Sequence, residues 1–138
     1  MPALDRDHRI VRRALEKDGW TITSDPLTLT MGKRSFIVDF GAERLLAAEK
    51  GTRRIAVEVK TFGGPSPIAD LQQAYGQFGV YEEVLTTTEP ERELYLAIPE
   101  DADEGIFSEP IGQAMLKNRF RRICVYSVER EEIARWIP

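Results

Sequence analysis

The sequence predicts an α/β (α+β layered) domain with a mixed central sheet flanked by helices, and three observations carry that expectation. Helix and strand patterns succeed one another in the order helix, several strands with a hairpin, helix, strand, helix, strand. The stretch Arg54 to Lys60, RIAVEVK, reads as a buried strand from its β-branched and apolar content. At 138 residues, 42% hydrophobic and 30% charged, the chain can bury one core but not two, so residues 1–138 are expected to form a single domain.

Asp5 to Asp18 carries Leu4, Ile10, Val11, Ala14 and Leu15 at helical spacing, with an Asp to cap it and Gly19 to end it. Its basic face, Arg9, Arg12, Arg13 and Lys17, is expected to be solvated. TITSDPLTLTM, with Pro26 inside it, reads as an irregular edge strand or extended arm, and Phe36 to Phe40 as a strand broken by Gly41. ERLLAAEK and RRIAVEVK flank Gly51-Thr52, a two-residue loop with Gly first; a hairpin on that loop sets Leu45 opposite Glu58 and Glu43 opposite Lys60. Leu46, Ala48, Ile55, Val57 and Val59 then form its apolar face.

After the FGGPSP loop, Ile68 to about Leu85 reads as a helix with two stripes. Leu71, Tyr75, Phe78 and Leu85 are apolar, and Asp70, Gln73, Gln77 and Tyr81 are polar at spacings of three and four. Glu93 to Pro99 is a strand, EDADEG a charged loop, Ile106 to about Asn118 a third helix, and Arg121 to Val128 a last strand. A short amphipathic end with Ile133, Trp136 and Ile137 covers the core.

Charge is unevenly spread. Residues 82–109 hold ten acids and one base, Arg92, so the net −4 of the chain conceals a remainder of +5. The single cysteine, Cys124, lies in an apolar run and reads as a core residue. No leader pattern and no window of membrane-spanning length is present, so a soluble cytoplasmic protein is expected. There is no Gly-rich phosphate loop, no cysteine pair for zinc, no His-Glu-x-x-His helix and no Gly-x-Ser-x-Gly elbow.

One constellation carries chemistry. Glu58 and Lys60 share a face of a strand that is otherwise apolar, Asp39 enters from the end of the preceding strand, and the hairpin brings in Glu43. Carboxylates beside an amine suit phosphodiester hydrolysis with Mg²⁺ or Mn²⁺ held by acidic oxygens. An internal ion pair is the competing reading of Glu58 and Lys60.

The acid, the gap and the Glu-x-Lys on the next strand resemble the PD-(D/E)XK nuclease superfamily, and Gln77-Phe-Gly-Val-Tyr81 resembles the Gln-x-x-x-Tyr motif of its RecB-like members. DGWTIT, DFGAERLLAAEKG, IAVEVKTF, GPSPI, AYGQFGVY and ARWIP resemble, along nearly the whole chain, the XisH family of controlling factors for excision of the fdxN DNA element in heterocyst-forming cyanobacteria. The resemblance implies a restriction-endonuclease-like three-layer fold and a Mg²⁺-dependent endonuclease site. In it Glu58 is a metal ligand, Lys60 the catalytic lysine, Asp39 or Glu43 the upstream acid, Val59 a carbonyl donor, and Gln77 and Tyr81 the lining of the site. It implies DNA, a XisI-like small protein and a site-specific recombinase as partners. With a pI near 5.1, a basic partner or a homodimer is expected to complete a DNA groove, and a catalytically silent regulator with a nuclease fold is the alternative. His8 and Glu16, on the first helix, are the residues there that point toward such a site if any do.

Overall fold

The computed structural model describes residues 3–45 and 51–138, with side chains from residue 6 to 44 and from 51 onward. Leu46, Ala48 and Lys50, placed above on the hairpin, lie outside the described residues. Among the described residues eight strands and four α-helices follow one another: α1 (Ala3–Lys17), β1 (Thr21–Ser24), β2 (Leu27–Met31), β3 (Arg34–Val38), β4 (Phe40–Leu45), β5 (Thr52–Val59), α2 (Pro67–Thr88), β6 (Arg92–Pro99), α3 (Glu100–Glu104), α4 (Pro110–Asn118), β7 (Ile123–Ser127) and β8 (Glu132–Ile137). A 3₁₀ turn, Ile106–Ser108, sits between α3 and α4.

Six strands form one mixed sheet in the order β1-β4-β5-β6-β7-β8. The central β5-β6-β7 run is parallel, because each step crosses over through helix, and the flanking pairs are antiparallel. Alternation along β5 explains the three layers. Ile55, Val57 and Val59 pack with Ile10, Val11 and Leu15 of α1 on one face. Ala56 points to the other face, among Leu71, Ala74 and Phe78 of α2 and the hairpin residues Leu27, Leu29 and Val38. A strand covered on both sides needs apolar residues at almost every position, which is why RIAVEVK reads as it does.

Several boundaries differ from expectation for identifiable reasons. The chain breaks at Asp39, not at Gly41: β3 ends at Val38, and Gly41 sits inside β4 opposite Ala56. A Cβ there would meet Arg92 Nη1 at 3.1 Å. The two-residue Gly-first hairpin loop is Gly32-Lys33, with Gly32 at φ +60, joining Met31 and Arg34 of a separate β2–β3 ribbon. Gly51-Thr52 is not such a loop, because Thr52 is already paired with Leu45. The true β4–β5 register puts Glu43 opposite Arg54 and Phe40 opposite Val57, six residues away from the expected pairing of Glu43 with Lys60. A shift by an even number keeps every side chain on its expected face and still moves Glu43 to the other end of the strand.

Helix α2 starts one residue early and ends three late. Ser66 Oγ accepts from the Ala69 N–H at 3.2 Å with Pro67 at the first helical position, and the hydroxyls of Thr86, Thr87 and Thr88 donate to the carbonyls one turn back. The EDADEG loop is instead the single-turn α3, whose Ala102 is buried and whose acids sit at its N-terminus. The expected third helix is split by Pro110, since the residue before a proline is driven to extended backbone and Glu109 adopts φ −77, ψ 159. The amphipathic end is the edge strand β8, which lays Ile133 and Trp136 on the α1 side and Ile137 on the α2 side.

Candidate functional site

Asp39 occupies the bend between the β2–β3 ribbon and the main sheet, beside the C-terminal end of β5. Its Oδ2 accepts the Val59 N–H at 2.8 Å, and its own N–H donates to Glu58 Oε1 at 3.2 Å. The two carboxylates are thus locked together by backbone bonds rather than by cations. Lys60 Nζ lies 3.8 Å from Glu58 Oε2, and its N–H donates to the Ala97 carbonyl at 2.9 Å, which ties the residue to β6.

The electrostatics follow from this crowding. Glu58, with 12% of its side chain exposed, has its carboxyl pushed up to about 8, first by burial and then by the neighbouring Asp39 charge, with Lys60 opposing. Tyr81 on α2 has its phenol raised by burial and by the charges of Glu58 and Asp39, which places it in the field of the pair. Its ring meets Phe36 of the ribbon edge-on at 6.4 Å. Gln77, one turn earlier on the same helix face, has a buried Oε1 without a hydrogen-bond partner. The rest of the polar stripe does other work: Asp70 accepts the Gly64 N–H at 3.1 Å and pins the loop after Lys60, and Gln73 is exposed.

Helix α1 reaches the site through His8, while Glu16 faces solvent. His8 Nδ1 is 3.5 Å from Asp39 Oδ1, its Nε2 is 2.8 Å from Asp25 Oδ1, and its ring lies 4.3 Å from that of Phe40. Arg12 Nη1 donates to Asp25 Oδ2 at 2.5 Å. Burial works to raise the Asp25 carboxyl, yet the hydrogen bonds from Arg12 and His8 outweigh it and hold it below its ordinary value. The sequence reading missed Asp25 and Arg12 as partners of the site. Their only signal was the i, i+4 spacing of His8 and Arg12, since docking of the Asp25-Pro26 turn onto α1 is tertiary.

Glu43 is not part of this cluster; it accepts from Arg54 Nε at 3.1 Å near the opposite end of β5. Cys124 is fully buried in β7 and burial pushes its thiol up, which removes it as a nucleophile. Among the described residues no three His, Cys, Asp or Glu side chains converge as a ready metal cage. The donors at hand are the Asp39 and Glu58 carboxylates and the Val59 carbonyl. That set fits Mg²⁺ or Mn²⁺, since Mg²⁺ commonly binds through one or two carboxylates and keeps its waters.

Fold and site together define a three-layer α/β domain with an acid, acid and lysine cluster at the C-terminal end of a central parallel strand. The chain belongs to the XisH family, whose description, XisH protein, matches residues 1–134. It is similar to the crystal structure of an XisH family protein from Nostoc punctiforme, at 39% identity and TM-score 0.87 over 97% of this chain and 100% of that one. It is equally similar to an fdxN element excision controlling factor protein from Anabaena variabilis, at 38% identity and TM-score 0.87 over 97% and 99% of the two chains. No curated protein matches. Among the described residues no helix is long and apolar enough to cross a membrane.

Proposed function

We propose that this XisH family member serves in excision of a DNA element and that its Asp39, Glu58 and Lys60 form a divalent-metal nuclease site of the PD-(D/E)XK type. The observation that carries the reading is the pair of carboxylates held side by side, Glu58 on the Asp39 N–H and Asp39 on the Val59 N–H, and opposed by one lysine. Two ionised acids held together in a half-dry corner are unfavourable unless a proton or a cation joins them. Asp39, Glu58 and the Val59 carbonyl would hold Mg²⁺ or Mn²⁺, which when bound supplies Lewis acidity and a water of lowered pKa.

The protein's own groups do the remainder. Lys60 presents an ammonium where negative charge develops on a phosphodiester. His8 braces Asp39 from the outer side, and Asp25 with Arg12 braces His8. Tyr81 stays a neutral hydroxyl donor, and the orphan Gln77 Oε1 is an acceptor for a substrate or water proton. DNA is the substrate class that this chemistry and the excision role share.

Incubating supercoiled plasmid with purified protein and Mn²⁺ or Mg²⁺ tests the reading: nicking is expected, and loss of it in Lys60→Ala. Titration of Mn²⁺ by calorimetry adds a readout independent of turnover, with weaker binding expected for Glu58→Gln. Absence of cutting under any divalent metal, or equal cutting by Lys60→Ala, sinks the nuclease assignment.

A second reading, a silent regulator that keeps the nuclease fold and acts through a partner such as a XisI-like small protein, is favoured by the lack, among the described residues, of a cluster of three acidic, cysteine or imidazole ligands. Copurification with such a partner, without metal and without DNA retardation, supports it.

A further inference from the structure

The charge map of the folded chain differs from that of the sequence. Of the ten acids in residues 82–109, Glu82, Glu89, Glu91, Glu93, Glu100 and Asp103 pair with arginines of the chain itself. The acidic region is therefore largely neutralised from within, by seven of the chain's fourteen arginines. Among the described residues, Lys33 and Arg34 at the turn of the β2–β3 ribbon make no ion pair with a carboxylate. Both are exposed.

The ribbon that carries them has two unlike faces. Leu27, Leu29 and Val38 are buried against α2, so the ribbon is anchored. Thr28, Thr30, Ser35 and Ile37 point the other way, with Ile37 61% exposed, so hydroxyls line the free face up to the cationic turn. Hydroxyls and unpaired cations are the side chains that contact phosphate oxygens. The ribbon also leads straight into Asp39: Arg34 lies five positions before it, about 17 Å of strand. That span equals about five phosphates along one strand of duplex DNA.

We infer that the β2–β3 ribbon is a phosphate-contacting arm that lies along a DNA strand leading to the Asp39–Glu58 site, with Lys33 and Arg34 as its cationic tip. The inference rests on the nuclease-type reading of that site. The arm positions the duplex backbone and reads no base. It also answers the low pI of the chain, because affinity for DNA depends on cations that are locally free and not on the net total.

The test measures the salt dependence of binding to a 30-base-pair duplex by fluorescence anisotropy, for the wild type, Lys33→Ala/Arg34→Ala and the control Lys117→Ala/Arg121→Ala. Lys117 and Arg121 are exposed and, among the described residues, also lack a carboxylate partner, but lie on α4 and just after it. The arm variant is expected to lower the log–log salt slope by about two, one per lost phosphate contact, and the control to leave it unchanged. Lys60→Ala is expected to bind with a slope within about one of wild type. An arm variant with wild-type slope, or two doubles that lower it equally, overturns the arm while the nuclease reading stands. A wild type that neither binds nor nicks duplex DNA overturns both.

Discussion

The two ends of β5 treat charge in opposite ways. At the N-terminal end each of these cations meets an acid: Arg53 shares Glu93 with Arg122 and bonds the Tyr95 hydroxyl, Arg54 pairs with Glu43 and Glu91, and Arg92 pairs with Glu89. At the C-terminal end two carboxylates share one corner with a single lysine 3.8 Å away, and burial, with the Asp39 charge added to it, pushes the Glu58 carboxyl up to about 8. Both ends are rich in ionisable groups, so density of charge does not distinguish a site from a surface. Imbalance does, because a balanced pair is complete within the fold and an unbalanced one needs something from outside.

The sharpest way to break this contrast is to remove the lone cation. Lys60→Ala is expected to lower metal-dependent nicking by roughly 10³-fold, the loss that follows removal of one preorganised group at developing charge. Single-turnover nicking measures it, and a variant as active as wild type would falsify the assignment of Lys60.

Next comes the acid. Glu58 binds a proton in the folded state up to about pH 8 but in the unfolded chain only up to its ordinary 4.5. Its stabilising share is therefore complete below about 4.5 and lost as pH rises toward 8. Relative to Glu58→Gln, the wild type is expected to weaken by on the order of 3 kcal/mol between those limits. Urea midpoints of both proteins at pH 5 and pH 8 decide it, and a pH-independent difference contradicts the unbalanced corner.

A smaller effect is expected one layer out. His8→Ala frees Asp39 from its brace and should weaken Mn²⁺ binding roughly 10-fold, as outer partners of metal ligands do. His8→Asn, which keeps a nitrogen donor, should recover part of it; calorimetry that finds both variants equal to wild type removes His8 from the site.

The balanced end should barely respond. Arg54→Ala breaks two partly exposed ion pairs and is expected to cost less than about 1 kcal/mol, with no change in nicking or Mn²⁺ binding. A loss of several kcal/mol in chemical unfolding would show that the N-terminal end carries more than surface pairing.

Much of the candidate site was legible because it is local. Glu58 and Lys60 are two residues apart on one strand, and Gln77 and Tyr81 one turn apart on one helix, so periodicity places each pair on a face without knowledge of the fold. Asp39 was legible as the acid at a strand end, although the break was assigned to Gly41, two residues on. Glu43 was misplaced because Thr52 pairs with Leu45, so Gly51-Thr52 does not set the register, and face parity cannot detect a slip of six. The same Gly-first signal was present in Gly32-Lys33, where the hairpin is real.

From its sequence, then, the chain determines its layers and the faces of its elements, because burial on one side or two imposes a period on apolar residues that no distant contact can alter. Tertiary structure decided what meets across elements. It brought His8 and Asp25 to Asp39, paired six of the acids of 82–109 with arginines of β5, β6, β8 and the turn segments on either side of β7, and left Lys33 and Arg34 without a carboxylate partner at the end of an arm. Ion pairs and registers of this kind depend on through-space distances of a few ångströms between residues up to 118 positions apart, as for Arg13 and Glu131, and local sequence carries no record of them.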